Sequence, residues 1–191
     1  MMEEEESQEL ERKQNPWLLV KRFFMFLFRE LLLETVAPAF VIALLITHFV
    51  GEKTLVLGQS MEPNLHDHQQ LIVDKLSYRF HSPERGDIVV IDVDDSPIPL
   101  IKRVIGLPGE TLLIRGNRVF IDGQQLSEPY LSDIVQHDYG PVEIPPGHVF
   151  VMGDNRPSSR DSRSIGAIGF GQIIARAWFS VWPVEEIGLL K

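Results

Sequence analysis

The chain has 191 residues, 18 Lys and Arg against 27 Asp and Glu, a formal net charge of -9, and no cysteine. That length accommodates one compact domain of roughly 100 to 150 residues plus an attached segment. The acidic balance excludes nucleic acid as a partner, because phosphate binding needs clustered Lys and Arg; the lack of cysteine excludes disulfides, thiolate zinc sites and a cysteine nucleophile.

Much of the acidity is local. Glu3 to Glu6, Glu9 and Glu11 outweigh Arg12 and Lys13, which predicts that residues 1–16 form a solvated, disordered acidic tail. Residues 17–30 are apolar and aromatic but hold Lys21, Arg22 and Arg29, a mixture that suits an interfacial, juxtamembrane helix. Residues 31–51 begin LLLETVAPAFVIALLITHFV, in which only Glu34, Thr35, Pro38, Thr47 and His48 break the apolar run. At ~1.5 Å rise per residue this stretch matches the ~30 Å core of a bilayer and predicts a transmembrane helix in contact with lipid, with Glu34 and Pro38 weakening its first turns. A removable export signal fits less well, since its apolar core is usually about 7 to 15 residues long and lies nearer the N-terminus. Arg12, Lys13, Lys21, Arg22 and Arg29 precede the span and Lys53 follows it. The positive-inside tendency then places the N-terminus in the cytoplasm and residues 52–191 on the extracytoplasmic face.

Beyond residue 51 the pattern changes to short runs punctuated by Gly, Pro, Asp and Asn, the signature of a mainly β, antiparallel domain. Strands are expected at Gln70 to Asp74, Asp87 to Val93, Leu100 to Ile105, Thr111 to Ile114, Arg118 to Ile121, His148 to Met152 and Ile173 to Val181. Gly116-Asn117 and Asp122-Gly123 are hairpin turn pairs, so Thr111 to Leu126 reads as a small meander. Pro141 to Pro146 reads as a loop.

Three blocks carry chemistry. Alternation in its strand puts Lys102 on one face between the aliphatic Leu100 and Val104, where it either snorkels to water or is forced out of it. Desolvation disfavours the charged form, and a neutral lysine can act as a base. Ser60 lies in Gly58-Gln59-Ser60-Met61-Glu62-Pro63, where glycine frees the backbone and proline blocks regular pairing. Such a segment exposes a hydroxyl beside its own amide; equally, it suits an ordinary turn. The usual nucleophile elbow G-x-S-x-G is not met, because Glu62 occupies its last position. The third block, Gly153 to Arg163, packs carboxylates, arginines and small hydroxyls in the way of a buried polar network.

Taken together, the anchor, Ser60-Met61-x-Pro63, Arg85-Gly86-Asp87-Ile88-Val89-Val90, Lys102-Arg103-Val104-Ile105-Gly106-Leu107-Pro108-Gly109 and Gly153-Asp154-Asn155-Arg156-x-x-Ser159-x-Asp161-Ser162-Arg163 resemble the type I signal peptidases. These are membrane-bound serine endopeptidases that remove signal peptides from exported preproteins. The likeness covers nearly the whole chain after residue 30. It implies a Ser-Lys dyad on an antiparallel β fold, with Ser60 as nucleophile, Lys102 as general base and no cofactor or metal. It further implies that the Ser159 hydroxyl holds the lysine amine, and that Asp154, Arg103, Asp161 and Arg163 support the site. By the same resemblance Val56, Met61, Leu65 and Ile101 line substrate pockets. Asn64 and Glu110 replace residues commonly threonine and aspartate in that family. Gly58 stands where some members have a serine that helps the oxyanion, so the Ser60 N–H and the Gly58 backbone are the expected oxyanion donors.

Other signals are weaker. Arg85-Gly86-Asp87 matches an integrin-type tripeptide but opens a strand. His66-Asp67-His68 has two metal-ligating side chains where at least one or two more are needed, so a polar turn is expected. A triad using His66, His68, His81, His137 or His148 is open on spacing. A self-cleaving repressor-like protein would need an N-terminal DNA-binding domain, which is missing. The other rival is a catalytically inert, membrane-tethered β module that binds peptides or partner proteins.

Overall fold

A computed structural model describes residues 16–49, 51–94, 96–131 and 136–190. The chain divides into two units, a helical one ending at Ile46 and a β unit from Thr47 onward. The expected acidic tail lies outside the described residues except for Pro16.

In the helical unit, α1 (Pro16–Glu30) runs into a π-helical turn (Leu31–Val36), and α2 (Ala37–Phe49) follows. This corrects the expectation of one regular helix over residues 31–51. Pro38 has no N–H to give the Glu34 carbonyl, and its ring crowds that carbonyl, so the regular ladder fails there. The turn widens instead, with the Ala37 N–H bonding to Leu32 O, five residues back. The 13 residues of α2 rise only ~20 Å, and no helix among the described residues is long and apolar enough to cross a membrane. Large apolar side chains from Trp17 to Ile42 are nonetheless exposed, including Phe23, Phe24, Phe28, Leu31 and Phe40.

The β unit is antiparallel at every pairing. Its main sheet comprises β1 (Glu52–Leu55), β2 (Gln70–Asp74), β3 (Ile88–Ile91), β4 (Leu100–Gly106), β9 (His148–Met152), β10 (Ile168–Gly169), β11 (Ile173–Trp182) and β12 (Gly188–Leu189). Their spatial order is β1-β2-β11-β3-β4-β9-β10, with β12 paired to β11. A second sheet has the order β7-β6-β5-β8, built from β5 (Thr111–Arg115), β6 (Arg118–Ile121), β7 (Gln124–Gln125) and β8 (Tyr139–Glu143). Gly116, Asn117, Asp122 and Gly123 all take positive φ, the conformation that two-residue hairpin turns demand.

β8 corrects the expected loop at Pro141 to Pro146. Tyr139–Glu143 pairs with β5 on its open side, and an edge strand tolerates a proline that donates nothing to the ladder. Strands β1, β10 and β12 are additional to those expected, the last two being only two residues long. The one α-helix among the described residues after residue 51 is the short α3 (Ser162–Ile165).

One apolar cluster gathers Val56, Met61 and Leu65 with Leu71, Val73, Ile88, Val90 and Ile101. Met61 and Leu65 are almost wholly buried, each contributing about 1.5–3 kcal/mol, so the segment after Ser60 is pinned onto the sheet by its own side chains. Another cluster joins Leu112, Ile114, Val119 and Ile121 of the second sheet to Ile105, Phe150 and Met152 of the first.

Candidate active site

Ser60 lies in the irregular connection between β1 and β2. A tight turn follows it, in which Asn64 N–H and Leu65 N–H both donate to Met61 O at 3.0 and 2.9 Å. On its other side the segment is clamped by Asn155, whose backbone N–H donates to Ser60 O and whose Nδ2 donates to Gln59 O, each at 3.0 Å. The backbone on both sides of the hydroxyl is therefore fixed.

Lys102 reaches that hydroxyl from β4. Its Nζ donates to Ser60 Oγ at 2.7 Å and to Ile101 O at 2.7 Å, and the residue is 2% exposed. β3 pairs with β4 along one side from Leu100 to Arg103. β9 pairs along the other side only from Arg103 onward, so Leu100 to Lys102 keep an open edge. Burial pushes the lysine down from 10.5 to about 8, against the opposing pull of the Asp161 and Asp154 carboxylates. Desolvation is the dominant effect, as it must be for an amine that works as a base near neutral pH.

Two ion pairs with buried carboxylates frame the dyad. Arg103 donates to Asp154 through Nε and Nη2 at 2.9 and 2.7 Å, and its guanidinium lies 4.1 Å above the Tyr130 ring. Asn64 Nδ2 ties Asp154 Oδ2 to Tyr130 O at 2.9 and 2.8 Å. Asp161 takes two bonds from Arg163, at 2.8 and 2.7 Å, and a third from Gly153 N–H at 3.0 Å. Asp161 also caps α3 through the Arg163 N–H.

Three expectations need correction. Ser159 does not hold the lysine amine: Nζ is bonded to Ser60 and Ile101, and the buried Ser159 Oγ has no partner among the described residues. Gly58 does not offer its N–H to an oxyanion, since that group donates to Asp67 Oδ1 at 2.8 Å. Leu65 does not border the cavity beside the dyad. That cavity, about 260 Å³, is lined by Val56, Met61, Ile101, Ser60 and Lys102 with neighbouring residues. Leu65 packs behind it and borders a separate cavity with His66 and Gln69.

The weaker motifs resolve structurally. Asp87 accepts from Tyr78 and from Glu84 N–H and pairs with Arg176, while Arg85 binds Ile105 O and Glu110, so the tripeptide is tied into the fold. His66 and His68 pair with Glu186 and Asp67. No cluster suited to a metal ion occurs among the described residues.

Gly153 and Asp67 stand within the sequence motifs, which give neither of them a role at the site. A Cβ on Gly153 would lie 2.3 Å from Ser159 Oγ and 2.4 Å from Ser60 O. Asp67 was visible only as an acidic residue in a polar turn, the setting in which carboxylates bond nearby backbone.

A serine hydroxyl held against a buried amine on an antiparallel β scaffold defines a serine-type hydrolase. Comparison with known proteins narrows the class. The family described as signal peptidase, peptidase S26, matches residues 29–182. A signal peptidase I of Bacillus amyloliquefaciens is 41% identical over 169 residues, covering 83% of this chain and 88% of that protein. A probable signal peptidase I-2 of Synechocystis is 37% identical over 163 residues, covering 82% and 75%. A solved signal peptidase I from Enterococcus faecalis aligns at 32% identity with a TM-score of 0.46, over 50% of this chain and 97% of that one. The chain belongs to the signal peptidase family, peptidase S26, and is a serine-type hydrolase.

Proposed function

We propose that Ser60 and Lys102 form the dyad with which this peptidase removes signal peptides from exported preproteins. The single observation carrying this reading is the 2.7 Å contact between Lys102 Nζ and Ser60 Oγ, made by an amine that burial drives toward neutrality.

The neutral amine takes the Ser60 proton as Oγ bonds to the scissile carbonyl carbon. The ammonium then gives that proton to the departing amine of the mature protein, leaving an acyl-enzyme that water hydrolyses. The Ser60 N–H stabilises the oxyanion. Substrate lies extended along the open edge of Leu100 to Lys102 and opposite Thr54 to Leu57, adding main-chain hydrogen bonds. Both segments line the cavity at Ser60, and Val56, Met61 and Ile101 leave room there for small, alanine-like side chains.

Residues 52–191 act as the catalytic domain on the extracytoplasmic face. Residues 17–30 lie at the membrane interface, and the apolar helical run that follows anchors the chain in the bilayer. The exposed apolar side chains from Trp17 to Ile42 and the basic residues before the span support this placement. An inert peptide-binding module gives no reason to bury a lysine against a serine.

The test is cleavage of a preprotein by Ser60→Ala and Lys102→Ala variants that retain the β fold by circular dichroism. Loss of activity in both is expected; substantial cleavage by either refutes the dyad.

A further inference from the structure

Ser127-Glu128-Pro129-Tyr130 follows β7 of the second sheet. Proline at the second position of a four-residue turn presets its φ, and the turn closes with the Leu131 N–H donating to Glu128 O at 3.1 Å. Within it the Tyr130 hydroxyl donates to Glu128 Oε1 at 2.8 Å. The same carboxylate pairs with Arg156, and both side chains of that pair are almost wholly buried.

From this turn Tyr130 meets the surroundings of the dyad at three points. Its hydroxyl joins the Arg156–Glu128 pair, and Arg156 Nε in turn donates to Gly153 O at 3.1 Å. Its carbonyl accepts from Asn64 Nδ2, in the turn that follows Ser60, at 2.8 Å. Its ring centre lies 4.1 Å from the Arg103 guanidinium. Arg103 directs Nε and Nη2 to Asp154 and Nη1 to Gly86 O at 3.1 Å, so the edge of the cation is tied by hydrogen bonds and its face by an aromatic surface. The ring is the contact that resists tilting of the guanidinium plane.

A charge next to the amine depends on this seat. Asp161 and Asp154 both favour a proton on Lys102, and each carboxylate is matched by an arginine, Arg163 and Arg103. Glu128 is matched by Arg156. From the other elements packed on the lysine, β3 sets the uncharged Val89 opposite it and the Ser60 segment meets it with a hydroxyl. An arginine that tilts off Asp154 leaves a buried negative charge uncompensated, which favours the ammonium. We infer that Tyr130 is a positioning residue for the dyad, its ring seating Arg103 on Asp154 so that this carboxylate keeps its countercharge and Lys102 is free to act as a base. The inference rests on the dyad reading.

The experiment is the pH profile of kcat/KM for preprotein cleavage by the full chain, comparing Tyr130→Phe, Tyr130→Leu and a chain carrying pentafluorophenylalanine at position 130. The fluorinated ring keeps the shape but turns an electron-poor face to the cation. Tyr130→Leu and the fluorinated ring are expected to move the acidic limb up by roughly half a unit to one unit, which lowers kcat/KM at pH 7 about three- to tenfold and leaves the alkaline plateau unchanged. Tyr130→Phe keeps the ring and is expected to keep the limb in place. A merely structural role would lower the plateau without moving the limb. An unmoved limb in the fluorinated chain overturns the inference, as does an equal shift in Tyr130→Phe. If Tyr130→Leu fails to fold, the fluorinated chain decides alone, because its ring is close in volume to the natural one. If Lys102→Ala cleaves like the unsubstituted protein, the dyad reading fails and the inference with it; if Lys102→Ala is inactive and the limb stays, the inference alone fails.

Discussion

The Asp67 carboxylate accepts the Gly58 N–H at 2.8 Å and the His68 N–H at 3.1 Å, so one turn holds the segment leading into the nucleophile. The Gly58 bond is the main reason the Asp67 carboxyl titrates below its usual value. Asp67→Ala is expected to lower kcat/KM by about three- to tenfold, the scale of one lost charge-assisted hydrogen bond, with little change in the far-UV spectrum. Because the folded-state value is depressed, the support Asp67 gives is present above the ordinary carboxylate range and is lost as pH falls through the lowered value. An unaltered kcat/KM means that Gly58 holds its place without Asp67.

Gly153→Ala is expected to inactivate. The added Cβ would meet Ser159 Oγ and Ser60 O well inside contact distance, and the Ser60 carbonyl is backbone that has to move for it. A displacement of about 1 Å at a reacting group costs roughly a hundredfold in rate. Preprotein cleavage measured beside a thermal melt checks this: activity should fall at least that far while cooperative unfolding persists.

The amine that drives the chemistry is a burden on the fold. Lowering a lysine from 10.5 to about 8 corresponds to about 3 kcal/mol of destabilisation at pH 7. The unfolded chain holds the proton more tightly than the folded one, so stability rises with pH between about 8 and 10.5. Lys102→Met, which keeps the aliphatic volume and removes the charge, should be inactive yet more stable by about 1–3 kcal/mol at pH 7 in urea unfolding. A less stable variant would mean that the bonds to Ser60 and Ile101 outweigh desolvation.

Much of the β architecture was legible because its signals are local. Alternation marked β2, β5 and β6, and turn pairs with positive φ marked the meander. What eluded sequence reading depends on partners far away in the chain. β8 is a strand only because β5 offers it an edge, and β1 because β2 pairs with it. Ser60 and Lys102 were visible through the blocks around them, but the release of Ser159 from the lysine and the capture of Gly58 by Asp67 are matters of side-chain direction. Spacing does not encode direction. Pro38 gave warning in the sequence of the break before α2, whereas the π-helical form of that break depends on which carbonyl the Ala37 N–H reaches.

The most direct test of a neutral lysine base is the pH dependence of kcat/KM for signal-peptide cleavage. The amine must lose its proton to act, so activity should rise with pH along an acidic limb whose midpoint lies near 8, the value burial sets for Lys102. A midpoint near 10.5 would mean an ordinary solvated lysine, and one near 6.5 that moves when a histidine is replaced would give the base role to another residue; either result contradicts the account.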